Sequence, residues 1–279
     1  MMTDKFSILV NTCDMYSDCW DPFFQLFSKY WPDCKARIYL NTEYKDYSFP
    51  GLNIHCNKVC MLHGCNPDVQ PTWSQRLFWA LELIDTKVVL FMQEDFFLYG
   101  RVDDNAISKY AQLLISNNIQ CLHITPYLNG SAGPSCFDNI DIIKQNYEYR
   151  IDCQAAFWDK EVLMSYLDLR ETAWEFEKLG SRRASWIHHT ILKVRKSYVQ
   201  SNPILPYYST GINKSRWQGG VKKVFEDNGI VIDYSVRGFY EDIPKEDLVT
   251  YLRNRINKVP SYLRQIPILM KLAVKYYIH

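Results

Sequence analysis

The residues of this 279-residue chain best suited to chemistry lie in "KVVLFMQEDFFLYG", Lys87 to Gly100. An apolar run, Val88 to Met92, ends in Gln93, Glu94 and Asp95, and two phenylalanines follow at once. Two adjacent carboxylates between apolar flanks repel each other and lose hydration together, so they need a partner. A divalent cation is one such partner. At the end of a strand the pair can hold Mn2+ or Mg2+, ions that share their coordination with substrate phosphates. The blander arrangement pairs Glu94 with an arginine such as Arg76 and leaves Asp95 to cap a turn.

Several elements must bring other groups to that pair. Phe6–Val10 reads as a buried strand that stops at Asn11-Thr12-Cys13-Asp14. Asp21 before Pro22 makes a helix start, with the cap oxygen first and proline at the first helical position. Trp20, Phe23, Phe24, Phe27, Tyr30 and Trp31 then recur at the spacing of one helix face. Ala36–Leu40 is a second strand, ending in Asn41-Thr42-Glu43, and Leu52–Cys56 a short third. This β-α-β beginning implies a parallel sheet with right-handed crossovers. "PTWSQRLFWALELI", Pro71 to Ile84, is a helix with Trp73, Leu77, Ala80, Leu81 and Ile84 as its buried stripe and Arg76 on the flank. The strand it feeds is apolar throughout, as in the middle of a parallel sheet covered on both faces. Ligands of open α/β sheets sit at the carboxyl ends of the strands. Asn11–Asp14, Asn41–Glu43 and Gln93–Asp95 are therefore expected to converge on one crevice.

Downstream, a capped helix runs from Asp103 or Asp104 to Leu114, and a strand lies around Cys121–Ile124. Thr125–Ile140, with "NGSAGPS", reads as a loop. In "IDCQAAFWDKEVLMSYL" a strand gives way to a helix whose stripe includes Val162, Leu163 and Tyr166. The stretch up to Tyr240 is less legible. With no linker and no internal repeat, the expectation is a catalytic domain over residues 1–242 and a helical extension over 243–279. The extension carries Arg253, Arg255, Lys258, Arg264, Lys271 and Lys275 among Ile, Leu and Tyr. Such a segment packs on the domain, on a second subunit in a homo-oligomer, or on an anionic membrane. Pro260 and Pro267 are expected to break its helical phase.

The β-α-β half, a helix of the form W-S-x-R-L-x-x-A-L, and a hydrophobic strand ending in an acidic pair followed by F-F-L resemble the nucleotide-sugar glycosyltransferases of the GT-A fold. The similarity is to bacterial enzymes of cell-surface polysaccharide and lipopolysaccharide assembly, and covers about residues 6–240 in outline. It implies an α/β, GT-A-like (Rossmann-like) fold with a mostly parallel central sheet flanked by helices. It also implies a nucleoside-diphosphate-sugar donor, an oligosaccharide or lipid-linked glycan acceptor, and a divalent metal. In that family the strand carries a D-x-D motif. The last Asp binds the metal that bridges the donor diphosphate, and the first touches the ribose. Here Asp95 maps onto the metal ligand with Glu94 beside it. Gln93 replaces the first Asp and can hydrogen-bond a ribose hydroxyl without bringing charge.

The resemblance carries a general base to Ala173-Trp174-Glu175-Phe176-Glu177. The attacking hydroxyl must lose its proton as it reaches the anomeric carbon, and a positioned carboxylate takes it. Glu175 is preferred and Glu177 is second; in an extended segment both can face one side, whereas on a helix they point about 200° apart and only one can serve. Trp174 beside them suits an acceptor-sugar platform. Asn11, Thr12 and Asp14 fall to the base and ribose, with Asn41 and Glu43 facing the same crevice. Arg76 falls to the diphosphate, whose oxygens match a guanidinium fork, or to a salt bridge with Glu94 or Glu43. "STGINKSRWQGG", Ser209 to Gly220, is placed as a loop over the donor, with Lys214 and Arg216 at the diphosphate. Base and leaving group together allow one in-line displacement, so inversion is expected.

Composition narrows the alternatives. At 47% hydrophobic and 23% charged residues the chain is globular rather than disordered. A net charge of +1 argues against a nucleic-acid surface. Nine cysteines without a C-x-x-C pair indicate free thiols rather than disulfides or zinc. Cys56, Cys60 and Cys65 with His55 and His63 are the one cluster with metal-site composition. His188-His189 should point to opposite faces, against joint ligation. No G-x-S-x-G, P-loop or G-x-G-x-x-G appears, so hydrolase, NTPase and dinucleotide readings lose their main support. The first residues lack a signal-peptide pattern and no segment nears the ~20 apolar residues of a membrane span, so the expected place is the cytoplasm or the inner face of the membrane. Two rivals stand. A sugar-nucleotidyltransferase would carry a Gly-rich basic loop where this chain has "NTCDMYSDCW". A non-catalytic sugar-nucleotide- or carbohydrate-binding homologue would bind without turnover.

Overall fold

A computed structural model of the chain describes residues 6–66, 68–242, 250, 253 and 256–277. The first strand, β1 (Ser7–Asn11), is buried along its length, and a 3-10 turn (Asp14–Cys19) leads from it into α1 (Trp20–Tyr30). The helix begins one residue before Asp21, with no side chain capping it. Asp21 instead accepts the Tyr47 hydroxyl at 2.8 Å. The expected apolar face is there, Trp20, Phe23, Phe24, Phe27 and Trp31 all being buried. Then come β2 (Ile38–Asn41), β3 (Ile54–Cys56), the short α2 (Val59–Leu62) and α3 (Trp73–Glu82). The α3 start is set by the Thr72 hydroxyl, which accepts the Gln75 N–H at 3.1 Å. Next are β4 (Val88–Gln93), β5 (Phe97–Leu98), α4 (Asp104–Asn117) capped by Asp103, and β6 (Cys121–His123).

Thr125–Ile140 departs from the expected loop. β7 (Ser131–Pro134) and β8 (Ile140–Ile143) pair antiparallel at one edge of the sheet. Gly133 and Pro134 hide the strand in the sequence, and an edge is where a residue without an N–H is tolerated. β9 (Ala156–Asp159) runs into α5 (Lys160–Tyr166), capped by Asp159. A helical run follows: α6 (Ala173–Glu175), a π-helical turn (Phe176–Gly180) and α7 (Ser181–Trp186). After β10 (Ile191–Val194) and α8 (Lys196–Ser201), the stretch that was hard to read forms β11 (Tyr207–Tyr208), β12 (Ile212–Asn213), β13 (Arg216–Trp217) and α9 (Val221–Glu226). The last helix is α10 (Val259–Tyr277).

The nine-stranded sheet has the order β3-β2-β1-β4-β9-β6-β10-β8-β7. β3, β2, β1 and β4 are parallel, as are β6 and β10, and only β8 and β9 run against the rest. The α/β class and mostly parallel sheet are thus as expected. Alternate residues of the central strands enter two apolar layers: Ile8, Val10, Leu90 and Met92 pack with α1 and α4, Leu9, Val89 and Phe91 with α3 and α5. That two-sided burial explains the uninterrupted apolar runs.

α10 is continuous through Pro267, contrary to the expected break, and Pro260 sits in its first turn, where an N–H has no helical partner anyway. Residues 243–249, 251, 252, 254, 255, 278 and 279 of the expected extension lie outside the described residues. Arg183 ties α10 to the body. Its guanidinium grips both Glu171 oxygens at 2.7 and 2.6 Å, donates to the Tyr166 carbonyl and reaches Gln265 Oε1 at 2.7 Å. All three side chains are buried. Arg183→Ala leaves Glu171 charged without its partner, and thermal denaturation is expected to show a loss of about 3–5 kcal/mol. No helix among the described residues is long and apolar enough to cross a membrane.

Candidate functional site

Parallel pairing sets the strand ends side by side, Asn11 in register with Asn41 on one side and Gln93 on the other. A cavity of about 560 Å³ opens there, lined by Asn11, Thr12, Arg76, Gln93, Glu94, Asp95, Glu177 and Lys214 of the expected residues. Trp174 also lines it. The Thr12 hydroxyl is held by Trp20 Nε1 at 3.0 Å, and Gln93 Nε2 reaches the Cys153 carbonyl at 3.5 Å.

The acidic pair sits in the turn between β4 and β5, each residue 8% exposed. Asp95 Oδ2 accepts the Ile212 N–H at 3.0 Å, and its carbonyl accepts from Gly211 at 3.2 Å. Gly211 is required here, because a Cβ would stand 2.3 Å from the Phe97 ring and 2.9 Å from the Asp95 carbonyl. Burial, opposed by these N–H groups, still pushes the Asp95 carboxyl up to about 6. Glu94 is driven well above the carboxylate range by burial and then by the charge of Asp95. Arg76 does not relieve it by direct pairing, since it is committed to Glu43 at 2.5 Å. Among the described residues no group of three or more His, Cys, Asp and Glu could hold a metal ion. Two buried acids short of positive charge fit a cation that takes its remaining ligands from substrate phosphates and water, and do not fit a self-contained protein cage.

Five expected residues do not line the cavity. Asp14 and Glu43 lock two loops together: the Asp14 carboxylate accepts the N–H groups of Glu43, Tyr44 and Lys45 at 2.9, 3.0 and 3.1 Å, and Glu43 accepts that of Asp14 at 3.0 Å. Asn41 lies behind, donating to Asn11 Oδ1 at 2.8 Å. Arg216 is exposed and borders a shallower neighbouring groove with Asp14, Lys45 and Arg237. Glu175 is spent as the reciprocal cap of α6 with Thr172 and as the acceptor of the Ser261 hydroxyl. Burial raises its pKa, but the bonds from Ser261 and Thr172 outweigh it, so the net shift is downward. Of the two acids, then, it is Glu177, the second choice, that the structure brings to the cavity. Glu177 lines the cavity, accepts the Cys153 N–H at 2.9 Å, and has its pKa raised by burial.

Sequence reasoning missed Tyr16, Cys153 and Gln154, which also line the cavity, whereas Ser209 and Thr210 line it from the Ser209–Gly220 segment already singled out. Lys214 and Ser215 turn the β12–β13 hairpin with φ of 47° and 62°, a left-handed pair without glycine, and Ser215 meets the Tyr16 hydroxyl at 3.1 Å. His188 and His189 stay out of the cavity, His189 Nδ1 sharing a 2.8 Å hydrogen bond with Tyr166. The cysteine–histidine cluster holds no metal arrangement either: His63 stacks on Trp79 with centroids 4.1 Å apart, His55 packs edge-on to Tyr39, and all nine cysteines are free.

Neither a protein-family model nor a curated protein sequence matches the chain. Among solved structures it is similar to Staphylococcus aureus TarS 1-349, at 13% identity and a TM-score of 0.47 over 74% of this chain and 60% of that one. It is similar to glucosyl-3-phosphoglycerate synthase from Mycobacterium tuberculosis in complex with Mn2+ and UDP-glucose, at 11% identity and 0.43 over 82% and 80%. It is also similar to the bifunctional IspDF from Campylobacter jejuni, at 16% identity and 0.38 over 69% and 50%. The chain thus spans about 60% of the length of the first of these, and at such values each is a likeness of overall chain path.

Proposed function

We propose that this chain is a glycosyltransferase that moves a sugar from a nucleoside-diphosphate donor to a glycan acceptor of surface polysaccharide synthesis, with inversion. One observation carries the reading: a single strand-end cavity is lined both by two buried, under-neutralised acids and by a separate carboxylate, Glu177, next to the exposed Trp174. The division of labour follows from the chemistry of each wall. Asn11, Thr12 and Gln93 offer hydrogen bonds to a nucleoside, and Arg76 and Lys214 offer positive charge to a diphosphate. Asp95, with Glu94, would hold Mn2+ or Mg2+, which when bound supplies charge neutralisation for the departing diphosphate. Glu177 takes the acceptor hydroxyl's proton as its oxygen attacks the anomeric carbon and the bond to the diphosphate breaks. Residues 1–242 form the catalytic part and 243–279 the extension in this proposal.

The test is a thermal-shift series with UDP-, GDP-, CMP- and dTDP-sugars, with and without manganese. A rise in Tm with at least one donor is expected, and no rise with any of them at saturation overturns the reading. The nucleotidyltransferase alternative has no support at its key position, since the segment after β1 is a 3-10 turn without glycine or lysine. Donor binding with no transfer to any acceptor would mark the non-catalytic homologue.

Trp174 is 69% exposed although it lines the cavity, a costly placement for a tryptophan with no ligand to cover. Trp174→Ala is expected to raise the acceptor KM about tenfold while donor binding and Tm stay unchanged, as for loss of about 1.4 kcal/mol of sugar stacking. Steady-state kinetics at varied acceptor concentration check it.

A further inference from the structure

α10 has a face that the transfer chemistry leaves unused. Toward the body it presents Gln265, which is buried, and Leu272, while Ser261 meets Glu175. Away from it, Val259, Leu263, Ile266, Met270 and Val274 are 49%, 58%, 49%, 64% and 49% exposed. Steps of four, three, four and four residues put these side chains within an arc of about 80° at 3.6 residues per turn. They form one continuous stripe, unlike apolar residues scattered singly over a surface.

The charge pattern names the occupant. From residue 248 to 279 the sequence has no Asp or Glu, and it carries Arg253, Arg255, Lys258, Arg264, Lys271 and Lys275. An apolar stripe whose only charged neighbours along the helix are cations matches an anionic lipid surface, where the stripe enters the acyl boundary and the cations meet headgroups. A second copy of the chain is a poorer match, since pairing two such helices sets cation against cation. We propose that α10 docks this protein on an anionic membrane surface through the Val259–Val274 stripe. The helix also holds the run that carries Trp174 and Glu177, through Ser261 on Glu175 and Gln265 on Arg183. Docking of the helix that holds this run would keep the site at the lipid surface, where a lipid-linked acceptor would be met; this consequence rests on the transferase reading, whereas docking itself does not.

Flotation of the full chain with vesicles tests the proposal, using phosphatidylcholine alone and phosphatidylcholine mixed with phosphatidylglycerol. Binding to the mixed vesicles is expected, about tenfold or more above that to phosphatidylcholine and reversed by salt. Leu263→Ser with Met270→Ser, both at exposed positions, and separately Lys271→Glu, should each lower that binding about tenfold with Tm unchanged. Absence of flotation with the anionic vesicles at low ionic strength overturns docking, as does full binding by the serine variant. A dimer in sedimentation that the serine variant converts to monomer, with no vesicle binding, assigns the stripe to a second copy instead. Thermal shift with the nucleotide sugars on the same samples separates the two proposals: intact donor response without flotation removes docking alone.

Discussion

Asp95→Asn is expected to abolish the manganese-dependent stabilisation by a sugar nucleotide and, at the same time, to make the unliganded protein more heat-stable above neutral pH. The two effects share one cause. Asp95 is buried and ionises only at about 6 in the folded chain, against about 4 in an unfolded one. A carboxyl whose folded pKa is raised favours the folded state most when protonated. Its contribution is therefore largest at low pH, declines as pH rises from about 4 to about 6, and is flat beyond. Two units correspond to about 3 kcal/mol at most. Asparagine is neutral at every pH and its Oδ1 can still accept the Ile212 N–H, so the variant escapes that loss and should gain several degrees in Tm at pH 8. The same linkage makes the manganese-induced rise in Tm of the native protein grow with pH across that window, because a cation and a proton compete for one carboxylate. Scanning fluorimetry of both proteins between pH 4 and pH 8 reads all of this. A variant no more stable than the native chain at pH 8, or one that keeps its manganese response, would show that Asp95 is an ordinary turn cap.

The second large effect falls on Glu177. Glu177→Gln is expected to lower kcat by about 10²–10⁴-fold while donor affinity and Tm hold, since a positioned general base contributes in that range. Glutamine keeps an oxygen for the Cys153 N–H, so the 2.9 Å bond that orients the side chain survives and only proton acceptance is lost. Burial raises the Glu177 pKa, so the acid limb of the native pH–rate profile should lie above the usual glutamate range. Glu175→Gln makes the contrast. It weakens the α6 cap and the contact with Ser261, for a loss of about 1 kcal/mol in stability, and leaves kcat within a few-fold. Should Glu177→Gln turn over normally while Glu175→Gln does not, the base has been assigned to the wrong carboxylate.

How much of this could be read in the sequence depends on the range of the interactions concerned. The strands at Phe6–Val10 and Val88–Met92, the apolar face of α1 and the stripe of α3 were legible because local period and two-sided burial write themselves into residue order. So was the meeting of Asn11, Asn41 and Gln93, since parallel neighbours must end on the same side of a sheet. The β7–β8 hairpin was not, because an edge strand is free to use glycine and proline. Arg76 lines the cavity with the acids, but its pairing with Glu43 rather than Glu94 depends on a side-chain geometry that spacing cannot encode.

By itself, then, the sequence determined an α/β sheet and an acidic pair at one of its strand ends, because both follow from short-range pattern. Only the tertiary structure decided which residues share the cavity with that pair. Glu175 and Glu177 differ by two positions, yet one is turned to a helix cap and to Ser261, 86 residues on, while the other faces the cavity beside Cys153. Gly211 and Ile212 reach Asp95 across 117 positions of chain between Asp95 and Ile212. Contacts of that separation are chosen by packing of the whole molecule, and no local spacing records them.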